Sequence, residues 1–149
     1  MKLLKKYNYT TAPATTTTGS RTYSVAGMNL PSVTTILAKT KNQEYLTRWR
    51  KKVGHEEAER IFNLSSKRGT AMHKFLENHI KGTGYDDLTE IGVEAKAMAN
   101  KIINEAFPPI TEYYGSEVTV HYTGLYAGST DLVCMHNDME TIVDFKQSN

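Results

Sequence analysis

The chain has 149 residues, of which 39% are hydrophobic and 23% charged, with a formal net charge of +2. The length suits one ordinary domain and the composition suits a folded protein, which excludes two full domains and a disordered chain. No run of about 18 apolar residues and no secretory signal occurs, and Cys134 has no second cysteine for a disulfide, so we expect a cytoplasmic protein without a membrane segment.

The first third of the chain predicts a lead-in followed by helices. Residues 1–29 are expected to be irregular or β-rich, with a turn at Gly19-Ser20 and a short strand over 21–25. The main domain is expected over 30–149 and opens on a short helix that Ser32 could cap. Apolar residues at helical spacing then predict four further helices, over 42–53, 56–64, 69–80 and 90–107.

After Pro109 the pattern changes to that of strands. Alternating, β-branched segments predict strands over 117–122, 130–135 and 140–146, with a turn at His136-Asn137-Asp138. Helices followed by an antiparallel meander predict an α+β fold. We expect the N-terminal helices to pack on a small mixed sheet that is mostly antiparallel.

The triplet Asp144-Phe145-Lys146 ends the last predicted strand. Side chains alternate along a strand, so Asp144 and Lys146 are expected on one face and Phe145 on the other. A carboxylate beside an amine could hold a metal ion and orient a water molecule. The alternative interpretation is an exposed ion pair without a catalytic role.

Two further candidates lie earlier in the chain. Asp131 is predicted on the strand before Asp144, and partner strands about 4.8 Å apart would bring the two carboxylates together. His73 falls at the edge of an apolar helical stripe and could reach across to the sheet. Alternatively, Asp131 is an ordinary strand-end residue and His73 a structural histidine.

The order of these motifs resembles a known family. Gly69-Thr70-x-x-His73, Gly128-x-x-Asp131 and Asp144-x-Lys146 follow one another as in the RecB-like branch of the PD-(D/E)XK nuclease superfamily. Segments 31–37, 49–54 and 115–118 are similar to those of exonucleases of T7-like marine phages and, more distantly, of mitochondrial genome maintenance exonucleases. The resemblance covers about 30–149 and implies a restriction-endonuclease-like core.

The resemblance also implies roles for particular residues. His73, Asp131, Asp144 and the backbone carbonyl of Phe145 would hold Mg²⁺ or Mn²⁺, ions suited to oxygen-rich ligand sets. Lys146 would activate or position the attacking water, and the metal would stabilise charge on the phosphate. Catalytic roles are thereby expected for Asp131, Asp144 and Lys146. Glu117 matches a further acidic position and is a secondary catalytic candidate.

Substrate binding is expected in the basic half of the chain. Residues 1–74 carry 14 Lys and Arg against 4 Asp and Glu, whereas residues 75–149 carry 4 against 12. A basic surface attracts polyanions and clustered carboxylates hold cations, although a solvated charge dipole is the alternative. The residues predicted to contact DNA are Ser32, Arg48, Arg50, Lys51, Lys52, Lys67, Arg68 and Ser148.

Together these features predict a Mg²⁺- or Mn²⁺-dependent DNA exonuclease acting at DNA ends, in phage DNA replication, recombination or degradation. The alternatives are an endonuclease of the same fold and a catalytically inactive nucleic-acid-binding fragment. Family members usually continue past the lysine into a helix with a Gln-x-x-x-Tyr motif and another strand, whereas this sequence ends at Asn149. We therefore expect a fragment, a chain completed by a partner, or lost activity.

Overall fold

The structure is a computed structural model, and it describes residues 1–10 and 12–147. Within these residues the fold contains four helices and two sheets, which confirms the predicted α+β class. No helix in this part of the chain has both the length and the apolar character needed to cross a bilayer.

A small antiparallel sheet forms near the N-terminus. Its strands are β2 (Ala14–Thr17), β3 (Ser20–Val25) and β4 (Met28–Pro31), in that order. Two-residue loops join them, and all four loop residues have positive φ, as tight hairpin turns require. The lead-in is thus β-rich, and β4 runs across residue 30, where the sequence predicts the main domain to begin.

Four helices follow. They are α1 (Val33–Thr40), α2 (Glu44–Val53), α3 (His55–Lys81) and α4 (Glu90–Ala106). Ser32 caps α1 as predicted, because its side chain accepts a hydrogen bond from the Thr35 amide. Gly54 separates α2 from α3 with φ of 90°, a conformation that favours glycine.

The main sheet follows the helices in sequence. Its strand order is β1 (Lys2–Leu3), β5 (Ile110–Tyr122), β6 (Tyr126–His136) and β7 (Met139–Val143). β1 is parallel to β5 and the other pairs are antiparallel, so the sheet is mixed and mostly antiparallel as predicted.

The main core lies between helices α3 and α4 and the main sheet. Met72, Leu76 and Ile80 of α3 pack with Leu132 and Cys134 of β6, all almost fully buried. A second, smaller core joins the N-terminal sheet to β6 through Ala127. β6 therefore contacts both cores.

Several predicted boundaries are wrong, among them the start of β6, which lies four residues before the predicted residue 130. The predicted helices 56–64 and 69–80 are parts of one continuous helix, α3, because no proline interrupts it and packing overrides the weak helix formers between them. β5 begins seven residues earlier than predicted, because two register shifts disturb its alternating pattern. β7 ends at Val143 rather than at Lys146, so residues 144–147 leave the strand.

Candidate metal centre

An open cleft of about 720 Å³ lies between α3 and the two sheets. β3 contributes Arg21, α3 contributes residues between 65 and 77, and the long β5–β6 hairpin contributes Glu117, Ser129 and Asp131. The cleft therefore gathers residues that are distant in sequence, and three of its residues form a compact polar group.

His73 lies at the edge of the apolar face of α3 and extends toward the main sheet. Its Nε2 lies 3.1 Å from the carbonyl oxygen of Phe145. Because a carbonyl can only accept, Nε2 must carry the proton of this hydrogen bond. Nδ1 then faces Asp131 and Glu117, at 3.4 Å and 3.9 Å from their carboxylates.

Asp131 is held from two sides. Its Oδ2 accepts a hydrogen bond of 2.6 Å from the Phe145 amide, while its Oδ1 faces His73. Burial, the largest single influence, raises the pKa of Asp131, but the hydrogen bonds from His73 and Phe145 and the charges of His73 and Lys146 together lower it. Asp131 is thus an ionised carboxylate with a fixed orientation, and its side chain is only 12% exposed.

Glu117 stands opposite Asp131 in a strained part of β5. The neighbouring pairs Ser116–Leu132 and Val118–Thr130 place Glu117 across from Asp131. Its φ of 54° lies in the left-handed region, which is unusual for a non-glycine residue within a strand. Two carboxylates directly opposite one another repel, so both the strain and the repulsion require compensation nearby.

His73, Glu117 and Asp131 form a cluster that we call the His73 cluster. One ligand atom from each lies within 4.8 Å of the other two. The interactions with Asp131 and then Glu117 raise the pKa of His73 to about 10, against the opposing effect of burial. Without a metal, His73 is therefore an imidazolium that offsets the charge of the two carboxylates.

Asp144 and Lys146 are exposed, and Phe145 between them is buried, which confirms the predicted alternation. Lys146 Nζ lies 2.7 Å from Asp144 Oδ2, with side chains that are 76% and 58% exposed. Asp144 is outside the His73 cluster. The Phe145 carbonyl, predicted as a ligand, instead accepts a hydrogen bond from His73. In this arrangement the Asp144–Lys146 pair matches the alternative interpretation of an exposed ion pair.

Gln147, the residue after Lys146, docks on α3. Gln147 donates to the Ser65 carbonyl and accepts a 3.0 Å hydrogen bond from Arg68. A Cβ at Gly69 would lie 3.0 Å from the Gln147 amide nitrogen, so glycine permits this close approach. These contacts fix Gln147 against the same helix that carries His73.

The predicted DNA contacts lie in several environments. On α2, Arg48 pairs with Glu44, Arg50 lies over the Phe62 ring, and Lys51 and Lys52 are exposed. Further along the chain, Lys67 is exposed and Arg68 is bound to Glu94 and Gln147.

Ser32 is buried, with its hydroxyl engaged in capping α1, so the structure gives it a structural role rather than an exposed position for DNA contact. The predicted contact at Ser148 lies outside the described residues.

Sequence reasoning missed several polar residues of the cleft, among them Arg21 and Ser129. Arg21 lies in the predicted lead-in, and only the tertiary docking of the N-terminal sheet brings it to the cleft. Ser129 shares β6 with Asp131, and the two-residue strand period could have indicated it.

Comparisons of this chain with models of protein families, with curated proteins and with solved structures found no match. The functional interpretation therefore depends on the motif residues and on the geometry of the cleft.

Proposed function

We propose that the protein is a metal-dependent DNA exonuclease that uses Mg²⁺ or Mn²⁺. The observation that supports this most is the His73 cluster, in which one nitrogen and two carboxylate donors converge beside an open cleft. Carboxylates are preferred ligands of hard divalent ions, and an imidazole suits Mn²⁺ as well.

The donor set fits a divalent ion in two respects. A cation between Glu117 and Asp131 would relieve the repulsion across the β5–β6 pair. The Nε2–H of His73 donates a hydrogen bond to the Phe145 carbonyl. This leaves Nδ1, which faces the carboxylates, as the atom that would ligate the metal. A metal-binding histidine whose other nitrogen donates to a backbone carbonyl is a common arrangement.

In hydrolysis, water attacks phosphorus, the P–O bond to the leaving oxygen breaks, and that oxygen takes up a proton. The bound ion would stabilise charge on the phosphate and lower the pKa of water. Asp131, oriented by the Phe145 amide, and His73 would hold the site in shape. The charged amine of Lys146 would position the attacking water, which would release its proton to solvent.

Lys146 must change rotamer for this role, and Asp144 must do so to act as a metal ligand, because the two side chains bind one another in this structure. Both are exposed, so the movement breaks one surface ion pair and opens no buried contact. The charge of Lys146 contributes to lowering the pKa of Asp131, so the amine already acts electrostatically on one residue of the site.

Cleavage of end-labelled linear duplex DNA and of closed circular DNA, each with Mn²⁺, tests this proposal. We expect loss of the end label from linear DNA and an intact circle. Conversion of the circle to nicked or linear forms would indicate an endonuclease instead. An absence of Mn²⁺-dependent cleavage of either substrate would contradict the enzymatic proposal.

A second candidate function is DNA binding without catalysis. The observation that favours it is the Asp144–Lys146 ion pair, which keeps the lysine bound to a carboxylate. Under this alternative, Lys146→Ala would leave both DNA binding and any residual cleavage unchanged.

A further inference from the structure

We infer that Arg21 of the N-terminal sheet binds the phosphodiester backbone of the substrate strand across the cleft from α3. This inference rests on the proposed function and adds a substrate-binding residue to it. It also gives the N-terminal sheet a role in the substrate site, in contrast to a lead-in that merely precedes the domain.

The first argument is the pairing of the arginine side chains. Arg48, Arg60 and Arg68 each have a carboxylate partner within 4.0 Å. Arg21 and Arg50 have no carboxylate that close among residues 1–10 and 12–147, and of the two only Arg21 lines the cleft. The Arg21 guanidinium lies over the Tyr23 ring at 5.2 Å. A ring face uses none of the five N–H donors, which therefore remain available to an anion.

The second argument is that the Arg21 backbone is fixed. Its amide donates to the Thr35 hydroxyl at 3.0 Å, and its carbonyl accepts from the Ser32 amide at 2.9 Å. The Thr35 hydroxyl also donates to the same carbonyl at 3.3 Å. The start of α1 therefore holds Arg21 in place while the long side chain stays exposed.

The third argument connects this anchor to the His73 cluster. Ser32 forms a parallel bridge with Ala127, which is fully buried on β6. Asp131 lies four residues further along the same strand, about 13 Å away at the usual rise per residue. Arg21 is thus tied to the strand that carries Asp131, so its distance from the cluster is set by packed backbone.

The chemistry of the cleft favours a phosphodiester over a carboxylate ligand. Glu117 and Asp131 already supply negative charge, so an anionic substrate needs cations on both sides. The metal site would face the scissile phosphate, and the Arg21 fork matches the paired oxygens of a phosphate group. Hydroxyls of Ser66, Thr70 and Ser129 line the same cleft and can donate hydrogen bonds to the phosphodiester backbone of a DNA strand.

The test compares Arg21→Ala with Arg60→Ala in the full chain. Arg60 is a matched control, because it is an exposed arginine that pairs with Glu57 outside the cleft. Binding of a fluorescent single-stranded oligonucleotide is measured by anisotropy in EDTA over a series of salt concentrations. We expect Arg21→Ala to bind roughly fivefold to tenfold more weakly, with a salt slope reduced by about one.

Arg60→Ala should bind as the wild type does, and Arg21→Lys should fall between the wild type and Arg21→Ala, because it keeps the charge but loses the fork. Equal binding by Arg21→Ala and the wild type would overturn the inference, as would a wild type that does not bind the oligonucleotide. Calorimetry with Mn²⁺ keeps the two proposals separate. Failure of the wild type to bind Mn²⁺ would refute the metal site and leave the oligonucleotide comparison interpretable.

Discussion

The His73 cluster and the Asp144–Lys146 pair are neighbours in the fold, but they are held very differently. In the cluster, Asp131 is fixed by a backbone amide and His73 by a backbone carbonyl. The pair is exposed and held only by its own ion pair, which is worth little at a surface. The difference teaches that the proposed ligands His73 and Asp131 are preorganised, whereas Asp144, also predicted as a ligand, and Lys146, proposed to act on water, must still move.

The largest effect is expected in the His73 cluster, whose side chains are held by the backbone. Asp131→Asn keeps an oxygen for the Phe145 amide but loses the charge, so the fold should persist while Mn²⁺ binding and cleavage fall by roughly a hundredfold or more. Calorimetry and the linear-DNA assay measure both. Asp138→Asn, in the exposed β6–β7 turn, is the control and should resemble the wild type. Full activity in Asp131→Asn would contradict the metal site.

Substitutions in the Asp144–Lys146 pair should reduce cleavage more than they reduce ligand binding. We expect Lys146→Ala to reduce cleavage by roughly a hundredfold, because the amine is proposed to handle the water, while Mn²⁺ affinity changes little. Asp144→Ala, which removes a predicted metal ligand, should also reduce cleavage by roughly a hundredfold and leave DNA binding largely intact. If Lys146→Ala cuts DNA as fast as the wild type, the proposed enzymatic role of this pair is wrong.

A third change concerns substrate affinity alone. Reversing Arg50, Lys51 and Lys52 to glutamate should weaken DNA binding by roughly tenfold or more and flatten its salt dependence, because phosphate contacts are lost. Fluorescence anisotropy over a salt series measures this. Mn²⁺ affinity of the His73 cluster should not change. Unaltered DNA binding would show that α2 is not part of the DNA surface.

The stability of the metal-free protein should depend on pH through His73. Its folded pKa of about 10 exceeds the ordinary value of 6.5, so its contribution to stability is full below about 6.5 and is lost as pH rises through 10. Denaturant unfolding at several pH values should show this loss in the metal-free wild type but not in His73→Gln. Mn²⁺ affinity should rise over the same range, because the Nδ1 proton must leave.

His121→Gln is the control for this experiment, since His121 is an exposed histidine on β5. It should keep the wild-type pH dependence. A wild type whose Mn²⁺ affinity is independent of pH between 6 and 9 would contradict an imidazolium at His73.

The smallest effect is expected for Ser32→Ala. Loss of the cap on α1 should lower the free energy of unfolding by about 1 kcal/mol. Ser24→Ala, at an exposed position of β3, should leave stability nearly unchanged. If Ser32→Ala instead reduced DNA affinity without reducing stability, a direct DNA contact at Ser32 would be supported.

Local signals in the sequence predicted much of this fold. The cap at Ser32, the turn through Asn137 and Asp138 (predicted one residue too early, at His136) and the alternation around Phe145 each depend on residues that are close in the chain. The break predicted within α3 was wrong, because local helix propensity carries no information about packing on α4 and the sheet.

The candidate site was harder to predict for the same reason. Sequence order suggested His73 and Asp131, which the structure brings together, but it ranked Glu117 as secondary. The positive φ of Glu117 and its position opposite Asp131 depend on β5–β6 register, which single residues do not reveal. Arg21 was missed because only the docking of the N-terminal sheet against Ala127 brings it to the cleft.

The continuity of α3 has a mechanical consequence. Trp49 of α2 packs edge-on against Phe62 near one end of α3, and His73 projects from the same helix about 16 Å further along its axis. A DNA strand bound to the basic residues of α2 would therefore reach the His73 cluster at a fixed distance from α2, since an unbroken helix neither bends nor stretches easily. α3 would therefore fix the distance between the proposed DNA-binding surface on α2 and the proposed cleavage site at the His73 cluster.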